Sequence, residues 1–251
     1  MRVAVVVVVV VVGVWVSVAQ GGSFNADRVH FIDRTPPESG LQNSFFRGNE
    51  PLLNGVFCYD ELVQRMREIA ILEGNFTLPE SFFLIDLSLL DLEVRDQRAE
   101  LVFFDENPSL GKVVRKPTVG NPIPANSFPE YIRKQMAEDL SFDLDDLIER
   151  TEELHAMLNQ QYDSPVVIYI HCEAGVDRTG EMSGAYYLRW FNWSWKQTID
   201  YDYSVEGRNI AYLSQLALNW YCYHLQYWVE GYDYLDCTTY RIDDDSTEIV
   251  Y

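Results

Sequence analysis

The chain is short of positive charge. Lysine and arginine number 19 against 39 aspartates and glutamates, giving a formal net charge of −20 and an isoelectric point near 4.4. A chain this acidic is repelled by nucleic-acid backbones and by anionic lipid, so neither is expected as a partner. It is also short of cysteine, with only Cys58, Cys172, Cys222 and Cys237. It has no internal repeat. At 251 residues and 47% hydrophobic content it is long enough to bury one sizeable core, and one main domain is expected.

Long hydrophobic runs are confined to the start. Met1-Arg2-Val3 leads into a nearly unbroken valine run to Val12, followed by small residues ending at Ala19. One charge, an apolar stretch and a small-residue end predict a signal peptide at 1–19, cut after Ala19. The alternative is an uncleaved anchor, for which Val3 to Ala19 is at the short limit of the roughly 17–25 residues needed. Once the signal is cut, no membrane span is expected. Two sequons, at Asn75 and Asn192, fit a secretory route. The divisions expected are a signal (1–19), an N-terminal extension (20–42), the domain proper (43–236) and an acidic tail (237–251).

The informative stretch is His171-Cys172-Glu173-Ala174-Gly175-Val176-Asp177-Arg178-Thr179-Gly180-Glu181. Pro165 to Ile170 before it is short, apolar and β-branched, and reads as a buried strand; Met182 to Phe191 after it reads as a helix. A strand, a tight loop and a helix N-terminus build an anion cradle. Backbone N–H groups turn inward and the helix dipole adds positive potential. A thiol in such a place is favoured as the nucleophilic thiolate. An arginine can grip two phosphate oxygens at once. The chemistry these residue types fit is attack of Cys172 on a phosphate monoester.

The segment resembles the His-Cys-x5-Arg-Ser/Thr signature of the cysteine-dependent tyrosine and dual-specificity phosphatases. Asn43-Ser-Phe-Phe-Arg-Gly-Asn-Glu-Pro51 is similar to their phenylalanine/tyrosine-arginine-x-x-x-proline strand, and Phe82-Phe-Leu-Ile-Asp-Leu87 to their isoleucine-aspartate-leucine strand. The resemblance implies that Cys172 forms a phosphocysteine, that Arg178 binds phosphate and that Thr179 assists the leaving thiolate. It implies that Glu173, Ala174, Gly175, Val176, Asp177 and Arg178 line the phosphate, that His171 orders the loop and that Gly175 and Gly180 allow its turns. It implies no metal and no cofactor.

A phosphotyrosine ester needs its leaving oxygen protonated. In the resembled family the acid lies roughly thirty-odd residues before the cysteine, which points to Asp139, with Glu138 and Asp143 as rivals; these acids also suit a helix first turn. Asp177 offers another solution. The Gly175-Val-Asp-Arg-Thr179 form is similar to myotubularin-type lipid phosphatases and some bacterial tyrosine phosphatases, in which the in-loop aspartate is proposed as the acid. Glu173, Asp177 and Glu181 stand where enzymes acting on polyphosphorylated inositol lipids tend to carry lysines. A singly phosphorylated protein, peptide or small ester is therefore expected. The alternatives are an inositol phosphate or phosphoinositide phosphatase and an inactive phosphate-binding module.

A free Cys172 leaves three cysteines, hence one disulfide and one unpaired thiol. Cys222 and Cys237 are nearest in sequence, and Cys58 is the alternative partner for either. An exposed nucleophilic thiol outside the cell is open to oxidation, a tension eased in an acidic or vesicular lumen. The expected location is secreted, or within the secretory or endolysosomal lumen.

The expected fold is α/β: a central, mostly parallel sheet flanked by helices, with the phosphate loop at a strand's C-terminal end. Helices are predicted from Asp60 to about Glu73, from a Ser141 cap to about Gln160, from Ser194, and from Arg208 to Trp228. Ala99 to Phe104 reads as strand-like. Residues 105–130, rich in Pro, Gly and Asn, read as a long loop without helix. Gly21 to Gly40 reads as a wrapping segment without a core of its own. His224 reads as a packed core histidine.

Overall fold

Seven residues, Val166–Cys172, form the middle strand of a five-stranded sheet and are buried throughout. Their continuous apolar run is what a strand covered on both faces requires. The structure is a computed structural model describing residues 23–238. The expected signal and all but the first two residues of the acidic tail lie outside the described residues.

The chain runs β1 (His30–Arg34), β2 (Ser44–Asn49), a small hairpin of β3 (Leu52–Leu53) and β4 (Val56–Phe57), α1 (Tyr59–Leu72), β5 (Phe83–Ser88) and α2 (Val94–Glu106). It continues through β6 (Gly111–Arg115), α3 (Glu130–Met136), α4 (Leu147–Asn159), β7 (Val166–Cys172), α5 (Asp177–Trp190), α6 (Trp195–Glu206) and α7 (Tyr212–Trp228). The main sheet has the order β1-β2-β7-β5-β6. Only β1 is antiparallel; the other four strands are parallel. Their C-terminal ends therefore share one edge, where α/β sheets place ligands. Register there sets Asn49 beside Cys172 and Ser88 beside His171.

Two cores sandwich the sheet. One side buries Phe46, Leu62, Met66, Ile69, Phe104 and Tyr169 under α1 and α2. The other buries Phe45, Ile168, Ile170, Tyr186, Leu218 and Trp220 under α4, α5 and α7. Alternate residues of β2 and β7 feed alternate faces, as strand periodicity demands. α5 is almost wholly buried, which fixes the helix that follows the phosphate loop.

The α/β class and the mostly parallel sheet are those expected. Several elements differ. Ala99–Phe104 is helical, within α2, because Gln97, Glu100 and Phe104 face inward at helical spacing. The 105–130 stretch carries β6, and α3 starts at Glu130. Ser141 caps nothing: α4 begins at Leu147, after left-handed turns at Leu140 and Asp146. The 20–42 extension supplies β1, and Val29 and Ile32 are buried in the two cores. Asp60 lies in the first turn of α1, where Cys58 takes the cap position. His224 is packed as expected, its Nδ1 2.9 Å from the Ala137 carbonyl. Among the described residues no helix is long and apolar enough to cross a membrane.

Cys222 and Cys237 are joined, closing a loop of sequence separation 15, and Cys58 and Cys172 are free. A loop of this size restricts the unfolded chain by about 3 kcal/mol. Cys237→Ala is expected to lower the unfolding free energy by about that amount in urea titrations. An unchanged midpoint would show that the crosslink adds nothing to stability.

Candidate active site

β7 delivers Cys172 to the shared sheet edge, and the chain passes through Glu173–Val176 into α5. Gly175 makes the turn at φ +74°, and a Cβ there would lie 2.6 Å from the Gly48 and Asn49 backbone. Only glycine meets both demands. Gly180 is also confined: a Cβ would press on the Ile210 side chain.

Two arginines hold the loop's carbonyls outward. Arg47 of β2 is fully buried, donates to the Gly175 carbonyl at 3.3 Å, and is paired with Asp202 (2.5 Å) and Glu206 (3.2 Å) of α6. Arg28 donates to the Ala174 carbonyl at 3.1 Å and pairs with Glu206 at 2.6 Å. A trans peptide points its N–H opposite its C=O. The N–H groups of Gly175 and Val176 therefore face away from the arginines, into the loop. The N-terminus of α5 adds its dipole.

Cys172 is 1% exposed, and the Thr179 hydroxyl lies 3.2 Å from its sulfur. Arg178 and Arg208 are both near enough to the sulfur to interact with it electrostatically. The structure thus brings together Cys172, Gly175, Asp177, Arg178, Thr179 and Gly180. Glu173 is half-buried and Ala174 exposed at the rim.

Arg178 is not idle. Its guanidinium pairs with Asp91 (3.0 Å) and Glu93 (2.7 Å) in the segment that follows β5. Burial opposes its charge, but Glu93, the Cys172 sulfur and Asp91 together hold it above the usual arginine range. Burial of Glu93 works the other way and is outweighed by Arg178, which brings that carboxyl down to about 2. Sequence reasoning missed Arg28, Asp91, Glu93 and Arg208, and no local pattern marks them.

The candidate acids fall in different places. Asp177 opens α5, and its two oxygens accept from Arg208 at 2.7 and 2.8 Å, and from the Ala211 N–H at 2.6 Å. Asp139 is exposed and accepts from the Ser141 N–H. Its neighbour Ala137 is tied to His224, whereas Asp177 is tied to Ala211 at the other end of α7. His224 is thirteen steps along the chain from Ala211, about 20 Å at a helical rise of 1.5 Å each. Asp139 and the exposed Glu138 therefore lie outside the cradle in this structure.

The segment after β6 reaches the cradle's flank instead. The Asn121 N–H donates to the Leu213 carbonyl in the first turn of α7, two residues past the Asp177 anchor at Ala211. Residues 116–123 contain no carboxylate. They are held from behind by Asp145, which accepts from the Val119 and Gly120 N–H groups, and by Asp143, 3.3 Å from the Asn121 amide. Burial and the neighbouring Asp145 push Asp143 up to about 6. Burial, then Asp145, hold Glu181 of α5 well above the carboxyl range.

His171 lies beneath the loop on the α2 side. Its Nε2 is 3.0 Å from Asp86 and 3.5 Å from Glu100, all three fully buried. Burial disfavours its charge, but the two carboxylates raise it to about 9. Burial raises Glu100 to about 7 and the adjoining Glu50 to about 8.

No protein-family model matches the chain. No curated protein matches it in sequence. Among solved structures it is similar to kinase associated phosphatase (KAP) carrying serine at its catalytic cysteine, with 13% identity over 80% of this chain and 94% of that one, at a TM-score of 0.42. It is similar to PTPMT1, with 18% identity over 79% of this chain and 95% of that one, at 0.41. It is also similar to the core catalytic domain of the PP-IP phosphatase SIW14 from S. cerevisiae in complex with citrate, with 18% identity over 70% and 80%, at 0.35.

The Arg178 ion pairs and the burial of Asp143 have two measurable consequences. An anion reaching Arg178 must compete with Glu93, which stays ionised across the neutral range. Glu93→Gln is expected to tighten binding of inorganic phosphate about tenfold, a gain of about 1.4 kcal/mol, read by isothermal calorimetry; weaker binding would make Glu93 a support for Arg178 rather than a competitor. The second concerns pH. Asp143 holds its proton in the folded chain up to about pH 6, whereas an unfolded aspartate loses it near about 3.9. The folded state then binds more protons, so this group's contribution to stability falls as pH rises between those values. Thermal unfolding at constant ionic strength should show Asp143→Asn flattening the fall seen in wild type over that window.

Proposed function

We propose that the chain is a cysteine-dependent phosphatase that hydrolyses phosphomonoesters through a phosphocysteine on Cys172. The observation that carries this reading is the buried Cys172 sulfur 3.2 Å from the Thr179 hydroxyl at the start of α5, with Arg178 interacting electrostatically with it. The thiolate attacks phosphorus, forming an S–P bond as the ester P–O bond breaks. Arg178, exchanged from Glu93 and Asp91 onto the substrate, spans two phosphate oxygens and the inward N–H groups take the charge that develops. Water then attacks phosphorus, its proton passing to the carboxylate left by the first step; the S–P bond breaks, and the Thr179 hydroxyl donates a hydrogen bond to the departing thiolate.

Asp177 is the carboxyl we assign as proton donor to the leaving oxygen. It stands at the cradle's edge on α5, and Arg208 together with the Ala211 N–H fixes its direction. The leaving oxygen takes the place of one of these contacts. Asp139 would need the α3–α4 connection to travel the length of α7.

Singly phosphorylated, phosphotyrosine-type esters suit the mouth. Asp91, Glu93 and Glu173 interact with one another and with Arg178 there, and would repel further phosphates. This disfavours polyphosphorylated inositol substrates. A secretory route is supported by the Cys222–Cys237 disulfide and by exposed Asn75 and Asn192 at both sequons.

The test is hydrolysis of aryl phosphates by residues 20–251 with a thiol reductant. Cys172→Ser should lose turnover by at least about 10³-fold, the scale of a lost nucleophile, while keeping phosphate binding. Asp177→Asn should cost about 10²-fold or more on phenyl phosphate and little on a nitrophenyl ester, whose leaving group needs no proton. Equal losses on both esters would remove Asp177 from the acid role. Phosphate binding without turnover under reducing conditions would leave a phosphate-recognising module.

A further inference from the structure

The catalytic reading uses the face of β7 that points at α5. The opposite face, directly beneath the phosphate loop, holds a cluster that reading does not need. His171 of β7, Asp86 of β5 and Glu100 of α2 are each 0% exposed, and their donor atoms all lie within 4.8 Å of one another. Glu50 joins them from the end of β2. Its N–H donates to the Cys172 carbonyl at 2.8 Å, and its carboxylate, also 0% exposed, interacts with His171 and Glu100.

The cluster is poorly satisfied by its own members. Asp86 Oδ1 and Glu100 Oε1 approach His171 Nε2 at 3.0 and 3.5 Å, close enough for Asp86 to interact with the ring as a hydrogen-bond partner but poorly aligned with its N–H direction. Both oxygens of Asp86, both of Glu100, both of Glu50 and both ring nitrogens of His171 are buried without a hydrogen-bond partner. Buried polar atoms in such number cost heavily unless something else binds them.

The separations are those of ion pairs and also suit a shared centre. Ligands about 2.1 Å from a common centre lie about 3.0 Å apart at right angles and about 3.4 Å apart at tetrahedral angles. The distances from His171 Nε2 to the two carboxylates, 3.0 and 3.5 Å, match those edges. The donor set is one imidazole with hard carboxylates, which suits a divalent first-row transition ion better than a soft one.

We propose that His171, Asp86 and Glu100, with Glu50 as the adjoining carboxylate, bind one divalent transition-metal ion of the zinc or manganese class beneath the phosphate loop. The ion would have no part in the chemistry at Cys172. It would tie β7, β5 and α2 together one residue from the nucleophile. Through α2 it would also steady the Asp91–Glu93 segment that holds Arg178. Because the ligands are fully buried, binding would be coupled to folding.

The experiment is metal analysis of the full purified chain by plasma mass spectrometry, then thermal unfolding after chelator treatment and after return of Zn²⁺ or Mn²⁺ alone. Co²⁺ loading gives a visible absorption band as an independent signature. About one ion per chain is expected, with a fall in melting temperature on chelation that Zn²⁺ or Mn²⁺ reverses. Glu100→Gln should lose the ion and the Co²⁺ band, and chelator should no longer shift its melting temperature. If Glu100→Gln does not fold, the wild-type metal content and Co²⁺ band decide alone. A wild-type chain that carries no ion, shows no Co²⁺ band and gains no more from added metal than Glu100→Gln does would overturn the site. The cluster would then be held by shared protons.

Discussion

The direction of two peptide planes governs the rest of this site. An acidic chain has to gather positive potential around one sulfur, and backbone N–H groups are the least expensive source because they carry no net charge. They serve only if the carbonyls beside them turn away. Arg47 and Arg28 hold the Gly175 and Ala174 carbonyls outward, and Asp202 and Glu206 hold the arginines. A buried ion network of this kind is weak evidence for stability, since desolvation offsets its Coulomb energy. Here its contribution is directional. It fixes which way the loop faces, and it ties β1's approach, β2 and α6 to a loop that belongs to β7 and α5.

The same economy explains the ion pairs around Arg178 and Asp177. Arg178 and Arg208 both stand near a buried sulfur, and each has an acidic partner of its own at hydrogen-bond distance. Unpaired, two arginines would strain the fold without an anion to satisfy them. Paired, they stay in place and can exchange a carboxylate for a phosphate of similar geometry. Affinity for an anion is then set by a difference between two ion pairs. That makes the acids Asp91 and Glu93, which hold Arg178, determinants of anion binding.

The cradle was legible because its chemistry is contiguous. Cys172, Gly175, Asp177, Arg178 and Thr179 fall within one strand–loop–helix unit, so spacing alone sets their geometry. The partners that make it work are not contiguous: Arg28 reaches Ala174 across 146 positions, and Glu93 reaches Arg178 across 85. No local pattern reports a contact of that range. α2 was misread for a related reason. Its inward face carries the polar Gln97 and Glu100, so the apolar period is broken and Ala99–Phe104 looks like a strand. The left-handed turn at Leu140 hides α4's true start because leucine is not a residue that marks such a turn; Asp146 is one of the acids that do, but it lies in a run of acids that reads as a helix first turn.

The segment after β6 sharpens the question of the proton. It lies against the first turn of α7, beside the cradle, yet brings no carboxylate with it. The acids that touch it, Asp143 and Asp145, stand behind it, holding Asn121 and the Val119 and Gly120 N–H groups. A segment pinned by buried carboxylates cannot also present one to a substrate. On the proposed chemistry the proton then has to come from within the loop itself, where Asp177 is the residue already oriented by two donors. Loop and acid become one rigid piece, and no separate segment has to close for the leaving group to be protonated. The active site would be assembled by folding alone, which is also why a cluster one residue behind Cys172 matters to its precision.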